Sequence, residues 1–239
     1  MRFEILTIFP NILDSYFNES ILKRAQAKKL ISIKTHNIRD YATDKHCTTD
    51  DKPYGGGAGM VMKVESIYRV LRALKLKFPN PNVKSNPKSK ISKSKATKII
   101  LLAANGKPFT QRDAMRLAKY KRLAFVCGRY EGVDERVKKF VDETISIGPD
   151  VLTGGELPAA IIIDAVARQI SGVLGNEESP KDESFNEAIS HKPDDVSSGE
   201  YPQYTRPEIF MKMRVPKVLL SGDHKKIQAW RESKRIKIT

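Results

Sequence analysis

Cysteine is nearly missing from this 239-residue chain: there are two, Cys47 and Cys127, in unrelated contexts. That scarcity excludes a disulfide framework. The four histidines, 36, 46, 191 and 224, share no metal-ligand spacing with one another or with cysteine, which excludes a structural zinc site. Both observations point to a reducing cytoplasm. Long apolar runs are missing too, and none approaches the roughly 20 residues needed to cross a bilayer. The opening segment, Met1-Arg-Phe-Glu-Ile-Leu-Thr-Ile-Phe9, lacks the long apolar centre and the cleavage site of a signal peptide, and reads as a first strand. There is no Gly-x-Ser-x-Gly elbow, no P-loop and no Gly-x-Gly-x-x-Gly fingerprint, which argues against a serine hydrolase, a P-loop NTPase and a dinucleotide fold. Acidic residues are under-represented: 28 against 43 bases, a formal charge of +15. Such a cation suits a polyanionic partner. Its basic residues build no amphipathic helix with a strongly apolar face, so nucleic acid is favoured over a membrane surface.

What is present is an α/β pattern. Apolar, β-branched runs at Phe3–Phe9, Ile31–Ile38, Lys98–Ala103, Arg122–Val126 and Glu143–Ile147 read as strands. Between them, residues 11–29 read as one amphipathic helix. Val64, Ile67, Tyr68, Leu71 and Leu74 repeat at helical spacing. Thr110 opens a further helix, with Asp113 as its capping-box partner. Leu157–Ile170 reads as an apolar helix ended by Ser171-Gly172. The expected core is therefore a mainly parallel sheet flanked by helices. We expect a domain over residues 1–174, a polar linker over 175–183 and a small, mainly helical domain over 184–239.

Residues 79–98 form a separate case. They hold six lysines and no acid among Pro, Asn and Ser. The composition suits a solvated loop, with an accessory RNA-binding tail as the alternative.

Two glycine-rich turns carry the chemistry. Cys127-Gly-Arg-Tyr-Glu-Gly-Val-Asp-Glu-Arg136 and Ser146-Ile-Gly-Pro-Asp-Val-Leu-Thr-Gly-Gly-Glu-Leu-Pro158 each follow a buried strand. Glycine there lets a ligand approach the main chain, since no Cβ intervenes. The pair predicts a small-molecule pocket lined by backbone groups. Gly55-Gly-Gly-Ala-Gly59 is either a plain turn or a mobile substrate loop. Arg168 lies four residues after Asp164 on one helix face, as an i, i+4 ion pair, a favourable cation at a helix C-terminus, or a group that steadies negative charge. Asp182 and Glu183 sit in polar sequence, and nothing in the periodicity promotes them above solvated surface carboxylates.

Together these segments resemble the bacterial tRNA (guanine-N1)-methyltransferases of the SPOUT superfamily. The carriers are Asp44–Met60, Gly128–Arg136, Val151–Pro158, Asp164–Arg168, Tyr204–Glu208, and Leu219–His224 with Trp230-Arg231, in the family's order and over nearly the whole chain except 79–98. The resemblance implies a parallel sheet with a deep C-terminal trefoil knot, a homodimer whose active site spans both subunits, and methyl transfer from S-adenosylmethionine to N1 of guanosine 37. It assigns the cofactor to Leu102, Ala103, Ala104, Asn105, Gly106, Gly128, Glu131, Ile147, Gly148, Pro149, Asp150, Val151, Leu152, Gly154, Gly155 and Leu157. Arg168 matches the family's essential arginine. Glu183 stands where the family has its general-base aspartate, with Asp182 adjacent as the rival. His46, Asp50, Tyr54 and Arg206 are the expected tRNA contacts. Magnesium is implied as well, although no carboxylate cluster in the sequence defines its site. Pro149-Asp150 replaces the family's Asp-Tyr, and the sequence stops soon after Trp230-Arg231. The rival readings are a methyltransferase for another RNA position and an RNA-binding protein that has lost catalysis.

Overall fold

The computed structural model describes residues 1–76, 97–175 and 200–235. The lysine-rich stretch, apart from Thr97 and Lys98, lies outside them, as do Asp182 and Glu183. The chain divides into two compact units, Met1–Gly175 and Asn176–Thr239.

In the first unit, β1 (Arg2–Thr7), β2 (Ser32–Asn37), β5 (Thr97–Pro108), β6 (Arg122–Cys127) and β7 (Glu143–Ser146) form one sheet in the order β2-β1-β6-β5-β7. Every pairing in it is parallel. The central strands are buried almost continuously because both sheet faces are covered. Their side chains alternate between two cores. Ile100, Leu102, Leu123 and Phe125 face a cluster with Leu22, Leu117 and Ile162. Ile99, Leu101, Ala124 and Val126 face another with Ile67, Val70 and Leu71. The first cluster draws on α1 (Asp14–Phe17), α2 (Ser20–Ala27), α4 (Gln111–Leu117) and α5 (Glu156–Ala167), and the second on α3 (Val64–Ala73). The expected Thr110/Asp113 capping box is present at the start of α4.

Three expectations need correction. The single helix over residues 11–29 is two helices, because Glu19 is extended (φ −125°, ψ 159°) and interrupts the ladder between Phe17 and Ser20. β5 runs on to Pro108: Leu102 and Lys107 both pair with Ile145, so residues 103–106 make an excursion and the chain returns to the same partner. The sequence reading also missed two short antiparallel pairs, β3 (Asp50–Asp51) with β4 (Val61–Met62) and β8 (Ile209–Phe210) with β9 (Met213–Arg214). Two-residue strands leave no periodicity to read. In the second unit, β8 and β9 are followed by a 3₁₀ turn over Lys217–Leu220 and by α6 (His224–Ser233), which Asp223 caps by accepting from the Lys226 N–H.

Candidate cofactor site

β5, β6 and β7 are adjacent, and the loops that leave their carboxyl ends surround a cavity of about 470 Å³. Open α/β sheets place ligands at this edge, since the loops there diverge and expose main-chain groups. Three close approaches shape it, two of them between backbones and one between backbone and side chains. A Cβ on Gly106 would stand 2.6 Å from the Ile145 carbonyl carbon and 2.8 Å from the Ser146 nitrogen. One on Gly155 would stand 2.7 Å from the Cys127 Cα, and the Gly155 N–H donates to the Gly128 carbonyl at 2.9 Å. One on Gly154 would meet the Arg129 side chain at 2.2 Å. Only glycine permits these contacts, and they press the three loops into one cradle.

The structure brings Leu102, Ala103, Ala104, Asn105, Gly128, Glu131, Ile147, Asp150, Val151, Leu152, Gly154 and Gly155 to the cavity wall. Gly106, Gly148, Pro149 and Leu157 are not on it. Gly106 supports the wall from behind, whereas Leu157 turns outward and is 55% exposed. The sequence reading missed Arg129, Tyr130, Val133, Glu135, Lys138 and Pro158, which also line it. Their signal was adjacency to the glycines; the residues after Gly128 curl back over the strand ends.

Electrostatically the cavity differs from the rest of the chain. Its charged lining holds three carboxylates, Glu131, Glu135 and Asp150, against two cations, Arg129 and Lys138, although the whole chain is at +15. Glu135 and Lys138 pair at 2.8 Å. Arg129 is engaged from behind. Its Nε lies 3.0 Å from Oε2 of Glu156, close enough for an ion pair although the two atoms lack hydrogen-bond geometry. Its Nη1 donates to the Thr153 carbonyl at 3.1 Å, and its guanidinium sits 4.7 Å from the centre of the Phe9 ring. Glu156 is only 2% exposed, and its Oε1 accepts from the Thr7 hydroxyl at 2.5 Å. Burial, and then the Glu156 charge, push the Cys127 thiol well above its ordinary pKa.

The remaining expected residues lie elsewhere. Arg168 caps the far end of α5, half-buried, with its N–H donating to the Asp164 carbonyl. Twelve helical residues separate it from the cavity-lining end, about 18 Å at 1.5 Å per residue. Asp164 accepts a hydrogen bond from Tyr16, which lifts the Tyr16 pKa to about 12. His46 and Tyr54 are exposed in the segment around β3, where half-buried Asp50 pairs with Met62. That segment reaches the cavity rim: Gly59 packs on the Glu131 side chain, and the Glu131 N–H donates to the Met60 carbonyl at 3.0 Å. Arg206 is exposed in the second unit. Among the described residues no group of three or more His, Cys, Asp or Glu side chains could hold a metal ion. No helix among them is long and apolar enough to cross a membrane.

A parallel α/β sheet with a glycine-built, backbone-lined cavity at its carboxyl edge is the architecture in which small organic ligands are held on main-chain groups. Comparison with known proteins gives the class its family. Residues 1–239 match the family model described as tRNA (Guanine-1)-methyltransferase TrmD, and the chain belongs to that family. Among curated relatives, the tRNA (guanine-N(1)-)-methyltransferase of Citrifermentans bemidjiense is 47% identical over 240 residues, covering 100% of this chain and 86% of the relative. Those of Dictyoglomus turgidum, at 46% over 239 residues, and Staphylococcus carnosus, at 45% over 237, cover 100% and 99% of this chain and 86% of each relative.

Proposed function

We propose that this protein transfers a methyl group from S-adenosylmethionine to N1 of guanosine 37 in tRNA. The observation that carries this reading is the cradle: a cavity walled by backbone of residues 102–105, 128–133 and 150–155, with an acidic surplus inside a strongly basic chain. The residues present suit the cofactor. Leu102, Ile147 and Leu152 offer apolar cover for a purine, loop amides and carbonyls offer hydrogen bonds to its edge, and Glu131 and Asp150 suit a ligand that carries positive charge. When bound, that cofactor would supply an already activated methyl group. The protein's share is then positioning and proton chemistry.

Guanine N1 carries a proton at neutral pH and is a poor nucleophile until it is withdrawn. Glu183, or its neighbour Asp182, is the proposed base that accepts the N1 proton; such base catalysis typically contributes about 10²–10⁴-fold. Arg168 is proposed to donate to O6, where negative charge collects as N1 loses its proton. The described residues offer no donor cluster that would place a magnesium ion, and no step is assigned to one.

A homodimer reconciles Arg168 with the cavity. Leu157 (55% exposed), Ile161 (41%), Asp164 and Arg168 follow one stripe of α5, beside Tyr16 (48%), which bonds Asp164. A two-fold partner that covered this stripe with its own, the helices antiparallel, would set Arg168 of one subunit near the cradle end of the other. The active site would then span both subunits. The family resemblance also implies a deep trefoil knot, and the 103–106 excursion and the 150–155 loop, both in backbone contact with strand ends, are the proposed knot segments. The second unit, with exposed Arg206, Lys212 and Arg214, and the segment carrying His46, Asp50 and Tyr54 are the proposed tRNA contacts. Free, exposed Cys47 accords with a cytoplasmic location.

The test is methyl transfer from labelled S-adenosylmethionine to two tRNA transcripts, one with guanosine and one with adenosine at position 37. Label on the guanosine transcript alone is the expected result. Equal labelling of both refutes the position, and no labelling with intact tRNA binding refutes the activity.

A further inference from the structure

The Glu156 carboxylate has no place in the proposed proton chemistry, yet it is nearly fully buried and faces the only cation on the cavity wall that no neighbour on that wall neutralises. The wall's other cation, Lys138, is already paired with Glu135. Glu131 and Asp150 remain as the wall's negative charge. With Arg129 compensated from behind, a cation entering the cavity meets these two carboxylates. Without Glu156 it would also meet an uncompensated guanidinium.

We propose that Glu156 is a positioning residue that neutralises Arg129 from behind the cavity wall and thereby makes the cradle prefer a cationic sulfonium ligand over its neutral thioether counterpart. The inference rests on the proposed cofactor. Three contacts hold the device in place. The Thr7 hydroxyl fixes one carboxylate oxygen at 2.5 Å, Arg129 Nε lies 3.0 Å from the other, and the Thr153 carbonyl holds Nη1 at 3.1 Å. Gly154 leaves room for the pair, since a Cβ there would stand 2.2 Å from Nε and 2.6 Å from Oε2. Thr7 ends β1, Arg129 follows β6, and Glu156 opens α5, where the helix dipole favours its negative charge. The same pair therefore ties three elements together and sets the sign of the field in the cavity. S-adenosylmethionine and S-adenosylhomocysteine differ by one methyl and one positive charge, so their affinity ratio reads that field directly.

The experiment is titration calorimetry of the full-length protein with each of the two ligands, without tRNA. Glu156→Gln keeps the shape and removes the charge. It should weaken S-adenosylmethionine relative to S-adenosylhomocysteine by roughly three- to thirtyfold, the range from Coulomb's law across a cavity of this size. Adding Arg129→Met should return the ratio to the wild-type value. If Glu156→Gln fails to fold, Glu156→Asp, which draws the charge back from Arg129, takes its place with the same sign and a smaller shift. An unchanged ratio, or one that Arg129→Met does not restore, overturns the inference. Wild-type protein that binds neither ligand overturns the cofactor reading instead.

Discussion

Gly155→Ala should disrupt the cradle by forcing its loop away from β6. The new Cβ would stand 2.7 Å from the Cys127 Cα and 3.1 Å from both the Cys127 Cβ and the Gly128 nitrogen. Those partners are backbone and a fully buried side chain at the end of β6, so no flexible group can yield. Overpacking of this kind costs about 1–3 kcal/mol. Relief requires the 150–155 loop to lift off β6, which stretches the 2.9 Å hydrogen bond from Gly155 to Gly128 and forfeits about 0.5–1.5 kcal/mol more. Stability should therefore fall by ~1.5–4.5 kcal/mol, measured by urea unfolding without ligand. Because Gly128, Gly154 and Gly155 all line the cavity, the same displacement should weaken S-adenosylmethionine at least ~10-fold by calorimetry, equivalent to about 1.4 kcal/mol. Gly175→Ala is the control: nothing lies within 4 Å of its Cβ position, and its effect should stay within about 0.5 kcal/mol. Wild-type stability and affinity in Gly155→Ala would refute the close-packed cradle.

Further expectations concern the dimer, pH and the thiols. Arg168→Ala should abolish methyl transfer with the fold intact by circular dichroism. Mixing it with Gly155→Ala subunits should restore activity in the heterodimer, because one site then has both an intact cradle and an intact arginine; no restoration would place the arginine in its own subunit's site. Buried Glu4 has its pKa lowered: burial acts to raise it, but hydrogen bonds from His36 at 2.6 Å and the charge of Arg122 at 2.7 Å outweigh that. Its contribution is therefore complete above the unfolded pKa of about 4.3 and is lost as pH falls through the lower folded value. Glu4→Gln should lower stability at neutral pH by ~1–3 kcal/mol and flatten the acid limb of the urea midpoint; an unaltered limb would refute the assignment. A maleimide should label exposed Cys47 quickly and buried Cys127 only on unfolding, read by mass spectrometry, and rapid double labelling would contradict the packing behind the cradle.

Much of this protein was decided locally. The apolar run at 122–126 and the β-branched residues of 143–147 form strands of the sheet, and the Thr110/Asp113 spacing closes its own capping box. The glycine-rich turns holding Gly128, Gly154 and Gly155 announced a backbone-lined pocket, because glycine in the turn beyond a buried strand permits close approach whatever approaches. Two cysteines in unrelated contexts likewise argued against a disulfide framework, and the order of residues against long apolar spans, both read along the chain alone. Other features belong to distance in space. The return of β5 to Ile145 after the 103–106 excursion depends on which strand lies alongside. The break between α1 and α2 reflects two helices settling separately onto one sheet face. Glu156 reads in sequence as one more acid at a helix start; only the fold brings Thr7 and Arg129 to its two oxygens across 149 and 27 positions of chain. Arg168 could be named from its motif, but its distance from the cavity, a helix length away, could not. Sequence carries the chemistry of each residue and its neighbours within a few positions, whereas which charge faces which across the cavity is decided by tertiary packing.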